Sequence, residues 1–241
     1  MRFRDLNWMQ LEAYLDRDDR VVLPIASTEQ HAYLSLETDN ILGQRVAEEA
    51  AEPLGVPVLP VLAYGVTPAF AAFPGSPSLR LETLGRVLGD ILDSLHGQGF
   101  RRFVVLNAHG GNIPAGAFVR EWALAHPDAQ AIFHSWWSGP KVTAVANAID
   151  ETYSHANWGE DFPWTRLEGV QAPSEPKPML LEEDYRVASP ERVRELIGDG
   201  SFGGPYRRAD EDMLRIWQAG VEEVRDLLEN AWRSQPGPGA D

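Results

Sequence analysis

Four apolar runs of strand length constrain this chain more than any other feature: 21–25, 56–62, 103–106 and 129–133. Most are rich in β-branched residues, and their apolarity is continuous rather than alternating. That pattern predicts strands covered on both faces. Helical patterns lie between them. The stretch 39–51 opens on a capping residue and places Ile41, Leu42, Val46 and Ala50 near helical spacing. The stretch 81–96 does the same with Leu84, Val87, Leu88, Ile91, Leu92 and Leu95, and a third, 113–125, follows the third run. Strand and helix signals alternating in this way predict an α/β fold with helices on both faces of the sheet.

The 241 residues read as a single domain, with no internal repeat and no break that separates a second unit. A proline-rich connector near 168–190 is expected to run extended over the surface, followed by a short helix at 190–197. A long amphipathic helix is expected at 210–232, with Met213, Ile216, Trp217, Val221, Val224, Leu227 and Leu228 on one side. The tail after 234 reads as frayed.

Composition narrows the chemistry. The chain has no cysteine, which excludes disulfides, thiolate zinc sites and a cysteine nucleophile, and fits a reducing cytoplasm. A net charge of -15 argues against nucleic acid or an anionic membrane as partner. The charged N-terminus lacks a signal core, and no stretch approaches the roughly 20 apolar residues of a membrane span. A cytoplasmic location is therefore expected. No Gly-x-Ser-x-Gly elbow, dinucleotide fingerprint or phosphate loop is present.

In open α/β sheets, ligands bind beyond the carboxyl ends of the strands. Two polar clusters follow two of the expected strands directly. The first is Ser27-Thr28-Glu29-Gln30-His31, with Glu37-Thr38-Asp39 just after it. Nitrogen and oxygen ligands without sulfur suit zinc, manganese or iron. Alone, the same residues read as a solvated loop with Asp39 as an N-cap. The second cluster is Asn107-Ala108-His109-Gly110-Gly111-Asn112, which alone is a glycine turn with an incidental histidine. Parallel strands would bring both clusters to one sheet edge, and that favours a shared site. A third segment, 155–161, offers His155 and Glu160 as a proton shuttle and a further ligand. Trp158 in it and Trp164 just beyond fit a lid or a flat-substrate pocket, and together with Trp136 and Trp137 they fit the anchors of an oligomer interface.

With Leu6-Asn7-Trp8, Tyr64-Gly65 and Phe73-Pro74-Gly75-Ser76, these clusters resemble the creatininase (creatinine amidohydrolase) family over most of the chain. The resemblance implies a three-layer α/β/α sandwich with a mostly parallel central sheet, often assembled as hexamers, so a homo-oligomer is expected. It implies two divalent metals, commonly zinc or manganese; with this donor set zinc is expected, and manganese or iron are the alternatives. Carried onto this chain, Glu29 and His31 would each bind one metal, Asp39 would bridge them, and His109 would complete the first site. His155 would be the catalytic histidine that protonates the leaving nitrogen, and Glu160 a second functional glutamate. Tyr33, Phe70, Trp158 and Asn112 would face the substrate.

The chain also departs from the family pattern. Creatininases proper carry a Glu ligand where this chain has Gly111, so the expectation is either that Glu160 serves the second metal or that the second metal binds weakly. Ala32-Tyr33-Leu34 replaces a Gly-Pro-His continuation, Phe70 stands at a usual histidine, and Asp161 at a usual threonine. The activity the resemblance implies is hydrolysis of a small amide, cyclic or open, so a small-molecule substrate is expected. Related possibilities are a formamide deformylase, a cofactor-precursor peptidase and a keto-inositol hydrolase. A catalytically inert, metal-stabilised scaffold is the reading from another class.

Overall fold

The computed structural model describes residues 1–180, 185 and 187–232. Its centre is a parallel sheet of β1 (Arg20–Ile25), β2 (Arg102–Asn107) and β3 (Gln130–Ser135), in that order. Register pairs Arg20 with Arg102 and Ile25 with Asn107, and Asn107 in turn pairs with Ser135. All three strands therefore end in line, and the segments leaving them start from one edge.

The fourth apolar run forms no regular strand. It lies along β1 and makes isolated bridges from Val58 to Val22 and from Leu62 to Ile25. Pro57 and Pro60 lack the N–H groups a continuous ladder needs, which limits the segment to intermittent pairing.

Successive strand residues point to opposite faces, and each face is covered by helices. On one side Val22, Val104 and Leu106 pack with α2 (Thr38–Ala51), α5 (Pro140–Ile149) and α7 (Asp210–Asn230) through Leu42, Val46, Val142, Met213, Ile216 and Trp217. On the other, Val21, Leu23, Ile25, Phe103 and Val105 meet α1 (Trp8–Leu15), α3 (Leu81–Gly97) and α4 (Gly116–Ala125) through Tyr14, Leu84, Leu88, Leu92 and Val119. The result is a three-layer α/β/α sandwich. Each fully buried Leu or Val contributes about 1.5–3 kcal/mol.

Several local expectations change. Helix α2 starts at Thr38 with Glu37 at the cap position, so Asp39 is inside the first turn and is not the N-cap. The expected 113–125 helix is a 3-10 turn, Gly110–Ala115, that passes into α4 at Gly116 because Pro114 interrupts the first turns. Helices α1 and α5 were not anticipated. The first is closed by a capping box between Asn7 and Gln10, and the second opens on Pro140 at a position where a missing N–H costs nothing. Residues 168–180 are largely exposed and non-helical, as the proline content suggested; positions 181–184 and 186 of that connector lie outside the described residues, as does the tail from 233. Helix α6 (Pro190–Ile197) follows, and packs Val193 and Ile197 against Phe70. Among the described residues, no helix is long and apolar enough to cross a membrane.

Candidate metal centre

Ligand-type side chains converge at the carboxyl edge of the sheet. Glu29 and His31 leave the end of β1, His109 leaves the end of β2, and Asp39 enters from the first turn of α2. Glu160 comes from the 3-10 turn Trp158–Glu160. A carboxylate in the first helical turn is favoured by the helix dipole, which helps hold Asp39 ionised there.

Two ligand groups share Asp39. In one, His109 Nδ1 lies 3.4 Å from Glu29 Oε1 and 3.0 Å from Asp39 Oδ2. In the other, His31 Nε2 lies 3.1 Å from Asp39 Oδ1 and 3.6 Å from Glu160 Oε2. Within each triplet the ligand atoms fall within 4.8 Å of one another. The two oxygens of one carboxylate thus face two separate groups, the arrangement a bridging ligand requires. His155 is close by, with Nδ1 3.9 Å from Glu29 Oε1 and 3.9 Å from Glu160 Oε2.

Both imidazoles are oriented by backbone carbonyls. His31 Nδ1 faces the Glu29 carbonyl at 3.2 Å, and His109 Nε2 faces the Val66 carbonyl at 3.0 Å. A carbonyl only accepts, so each of these nitrogens carries the proton. The lone pairs of His31 Nε2 and His109 Nδ1 then point at the carboxylates, as in metal-binding histidines. The Val66 loop is itself held by Asn112, which accepts from Val66 N at 2.9 Å and donates to the Ala26 carbonyl at 3.1 Å.

The electrostatics fit a cation. Glu29 Oε2 and Asp39 Oδ2 are buried with no aligned hydrogen-bond donor; the approach of His109 to Asp39 is close but not that of a hydrogen bond. Uncompensated buried oxygens of this kind are costly unless a cation meets them. Without one, the protein must protonate itself. Burial raises the Glu29 carboxyl, and raises Glu160 to about 7 against the pull of His31. Burial opposes charge on His31 and His109, but the surrounding carboxylates prevail and lift the rings to about 10 and about 9. Burial also disfavours charge on Asp39, yet the two imidazoles hold it well below the usual carboxylate range. The donor set of carboxylate oxygens and imidazole nitrogens suits a borderline divalent ion.

The ligand groups open into a cavity of about 430 Å³, walled by Phe70, Trp137, Tyr153, Tyr185 and Phe202. Phe70 stacks on the His155 ring with centroids 4.9 Å apart. Of the side chains expected to face a substrate, only Phe70 is on this wall. Trp158 is fully buried in the core with its indole N–H on Thr152, Tyr33 packs edge-on against Tyr206, and Asn112 holds the Val66 loop. Trp136 and Trp158 are also core residues, which removes them as interface anchors.

At Gly111, a Cβ would come within 1.9 Å of the Val66 carbonyl. A side chain there is incompatible with the loop that orients His109, and Glu160 occupies the second group instead. Gln30 and the Val66 carbonyl were missed as site components. Gln30 lay in view between Glu29 and His31, whereas a backbone carbonyl leaves no trace in a sequence.

Fold and site together define an α/β protein with a cluster of carboxylates and imidazoles, arranged so that they could hold cations around one shared carboxylate, at the carboxyl edge of its parallel sheet. The creatininase family model, creatinine amidohydrolase, matches residues 4–228. The chain belongs to the creatininase family. It is 34% identical over 171 residues to the creatinine amidohydrolase of Pseudomonas putida, spanning 66% of this chain and 65% of that one. It is 35% identical over 102 residues to a mycofactocin precursor peptide peptidase of Mycolicibacterium smegmatis, covering 39% of this chain and 41% of the peptidase. A 3-dehydro-scyllo-inosose hydrolase of Thermotoga maritima is 28% identical over 219 residues, covering 84% and 69%. A Zn-Zn form of a mutant creatininase superposes with TM-score 0.79, and a manganese creatininase with 0.78, each at 23% identity over 97% of this chain and 98% and 99% of the other.

Proposed function

We propose that this chain is a metal-dependent amidohydrolase that cleaves a C–N bond of a small amide. The observation that carries the reading is Asp39, whose two carboxylate oxygens face two complete ligand triplets. Glu29, Asp39 and His109 would hold one ion, and His31, Asp39 and Glu160 the other. The Zn and Mn forms of related creatininases support either metal. Divalent ions held there supply a nucleophilic water at neutral pH and Lewis-acid polarisation of the scissile carbonyl.

The protein's own groups supply the rest. The Phe70, Tyr185 and Phe202 walls exclude bulk water and give a substrate a flat apolar surface. Attack adds one water across the amide: the oxygen bonds the carbonyl carbon, the C–N bond breaks, and a proton moves to the leaving nitrogen. Glu160 and His155 both line the cavity in which this happens. The hydrolases among the relatives act on a creatinine ring, a peptide and an inosose, as their names state, so these three substrate classes form the screen. A formamide substrate completes it.

The test is turnover of these compounds by purified chain loaded with zinc or manganese. Hydrolysis abolished by chelator and restored by metal is the expected result. Stoichiometric metal with no turnover on any of them would favour the inert scaffold instead.

A further inference from the structure

Gln30 stands between two metal-ligand candidates, but its side chain turns away from the ligand groups and reaches His155. The Gln30 amide Nε2 lies 3.0 Å from His155 Nε2 and 3.1 Å from the Gly200 carbonyl, and Oε1 accepts from Ala32 N at 3.2 Å. Two of these partners have a fixed chemical role. A backbone N–H can only donate, so it must meet Oε1. A backbone carbonyl can only accept, so it must meet the NH2 group. Turning the amide over would set N–H against N–H and oxygen against oxygen. The amide is therefore fixed in one orientation by the backbone.

The backbone is shaped to do this. Ala32 sits in the left-handed region at φ 50°, where a non-glycine residue is strained, and its N–H meets Oε1. Gly200, at φ 106°, has no room for a side chain, because a Cβ would fall 1.8 Å from Gln30 Oε1.

The remaining Gln30 hydrogen points at His155 Nε2, which must accept it. An imidazole that accepts at Nε2 is neutral and carries its proton on Nδ1. Nδ1 is the atom that faces Glu29 Oε1 and Glu160 Oε2. Phe70, stacked at 4.9 Å and 21°, and Phe202, at 4.9 Å, hold the ring in plane.

We propose that Gln30 is a positioning residue that locks His155 as the neutral Nδ1–H tautomer, making it a fixed hydrogen-bond donor to the substrate atom that gains charge. Two consequences follow. His155 stays out of the metal set, although it is close enough to Glu29 and His31 to form a third ligand group. It also carries no proton between water and leaving group, since its one free lone pair is occupied by Gln30. The donor role rests on the hydrolase reading, whereas the tautomer does not.

The tautomer is measured first, by two-bond 1H–15N correlation of imidazole-labelled full-length chain, metal-free and zinc-loaded, with His155 assigned by the missing peak of His155→Asn. A protonated Nδ1 and an unprotonated, metal-free Nε2 are expected in both forms. A protonated Nε2, or a metal-bound Nδ1, overturns the proposal whether or not a substrate is known. Gln30→Glu should flip the ring to Nε2–H, because a carboxylate can only accept; an unchanged tautomer in the folded variant contradicts the assignment. With a substrate in hand, the two roles separate at position 155. Asparagine places an N–H near Nδ1 but cannot carry a proton. His155→Asn should retain kcat within about tenfold, while His155→Ala should lose about 10²–10³-fold, the usual cost of one preorganised donor. Equal loss in both would return His155 to a proton-carrying role.

Discussion

Asp39 does two jobs because its carboxylate has two oxygens and each meets a different imidazole. Asp39→Asn keeps the volume but removes the charge both groups need. Metal analysis of the purified variant should show bound zinc falling below stoichiometry, with affinity lost by more than about 10²-fold, beyond what loss of an outer hydrogen bond costs. Gly111 is required for a different reason. Gly111→Ala forces the Val66 carbonyl, 1.9 Å from the new Cβ, off His109 Nε2. Stability should fall by about 1–3 kcal/mol in denaturant titration, and zinc affinity by about 10–100-fold. Wild-type affinity in this variant would show that the carbonyl does not orient the ring. At this scale the gathering of Glu29, His31 and His109 at one sheet edge was legible because position after a strand limits where a side chain can go, whereas residue type alone marked Asp39, in the first turn of α2, and Glu160, in a 3-10 turn. Tyr33, Trp158 and Asn112 were not legible, because they lie in irregular backbone with no periodicity to tell which way a side chain points. None of the three lines the cavity: Tyr33 packs on Tyr206, Trp158 bonds Thr152 and Asn112 holds Val66.

Helix α2 and strand β2 meet where the site is assembled. A Cβ on Gly43 would fall 2.8 Å from the Ala108 Cβ, one residue before His109 and one helical turn after Asp39. This close approach sets the separation of Asp39 from His109. Gly43→Ala should favour the isolated helix by about 1 kcal/mol, yet weaken zinc binding by about tenfold, the lower end of what a displaced ligand costs. Ala108→Gly in the same chain should restore it, as measured by calorimetric titration. No rescue by the double variant would place the fault elsewhere. The element pattern itself was largely legible. Three of the four apolar runs pair as strands and α3 spans its expected range, because continuous burial and helical spacing are local signals. The 56–62 run was misread because its apolarity is strand-like while Pro57 and Pro60 withhold the hydrogen bonds. Helix α1 escaped because it is an eight-residue helix with only Tyr14 buried, so capping rather than an apolar stripe marks it.

For the molecule as a whole, the site is a concentration of buried charge that the fold tolerates through either metal or protons. In the metal-free chain the surrounding carboxylates lift His31 to about 10 and His109 to about 9, against the ordinary 6.5 of an unfolded imidazole. The native state thus binds more protons than the unfolded one between these values. The stabilisation is complete below pH 6.5 and is lost as pH rises through about 9 to 10. Differential scanning calorimetry of chelator-treated protein should show Tm falling from pH 7 to pH 10 by more than in the zinc-loaded protein. Zinc binding near pH 7.5 should release about two protons, seen as heat that depends on the buffer. A metal-free Tm that rises over this range would mean that the imidazoles are not paired as described. The sandwich was foreseeable from alternating strand and helix signals. Its two cores, one on each sheet face, follow from strands whose successive side chains go to opposite sides.

The central claim is that one aspartate joins two ligand groups into a two-ion centre. It is tested most directly by a crystal structure of zinc-loaded protein with anomalous data at the zinc edge. Two peaks are expected, one among Glu29, Asp39 and His109 and the other among His31, Asp39 and Glu160. Peaks elsewhere, or zinc-loaded crystals with none between these side chains, would contradict it.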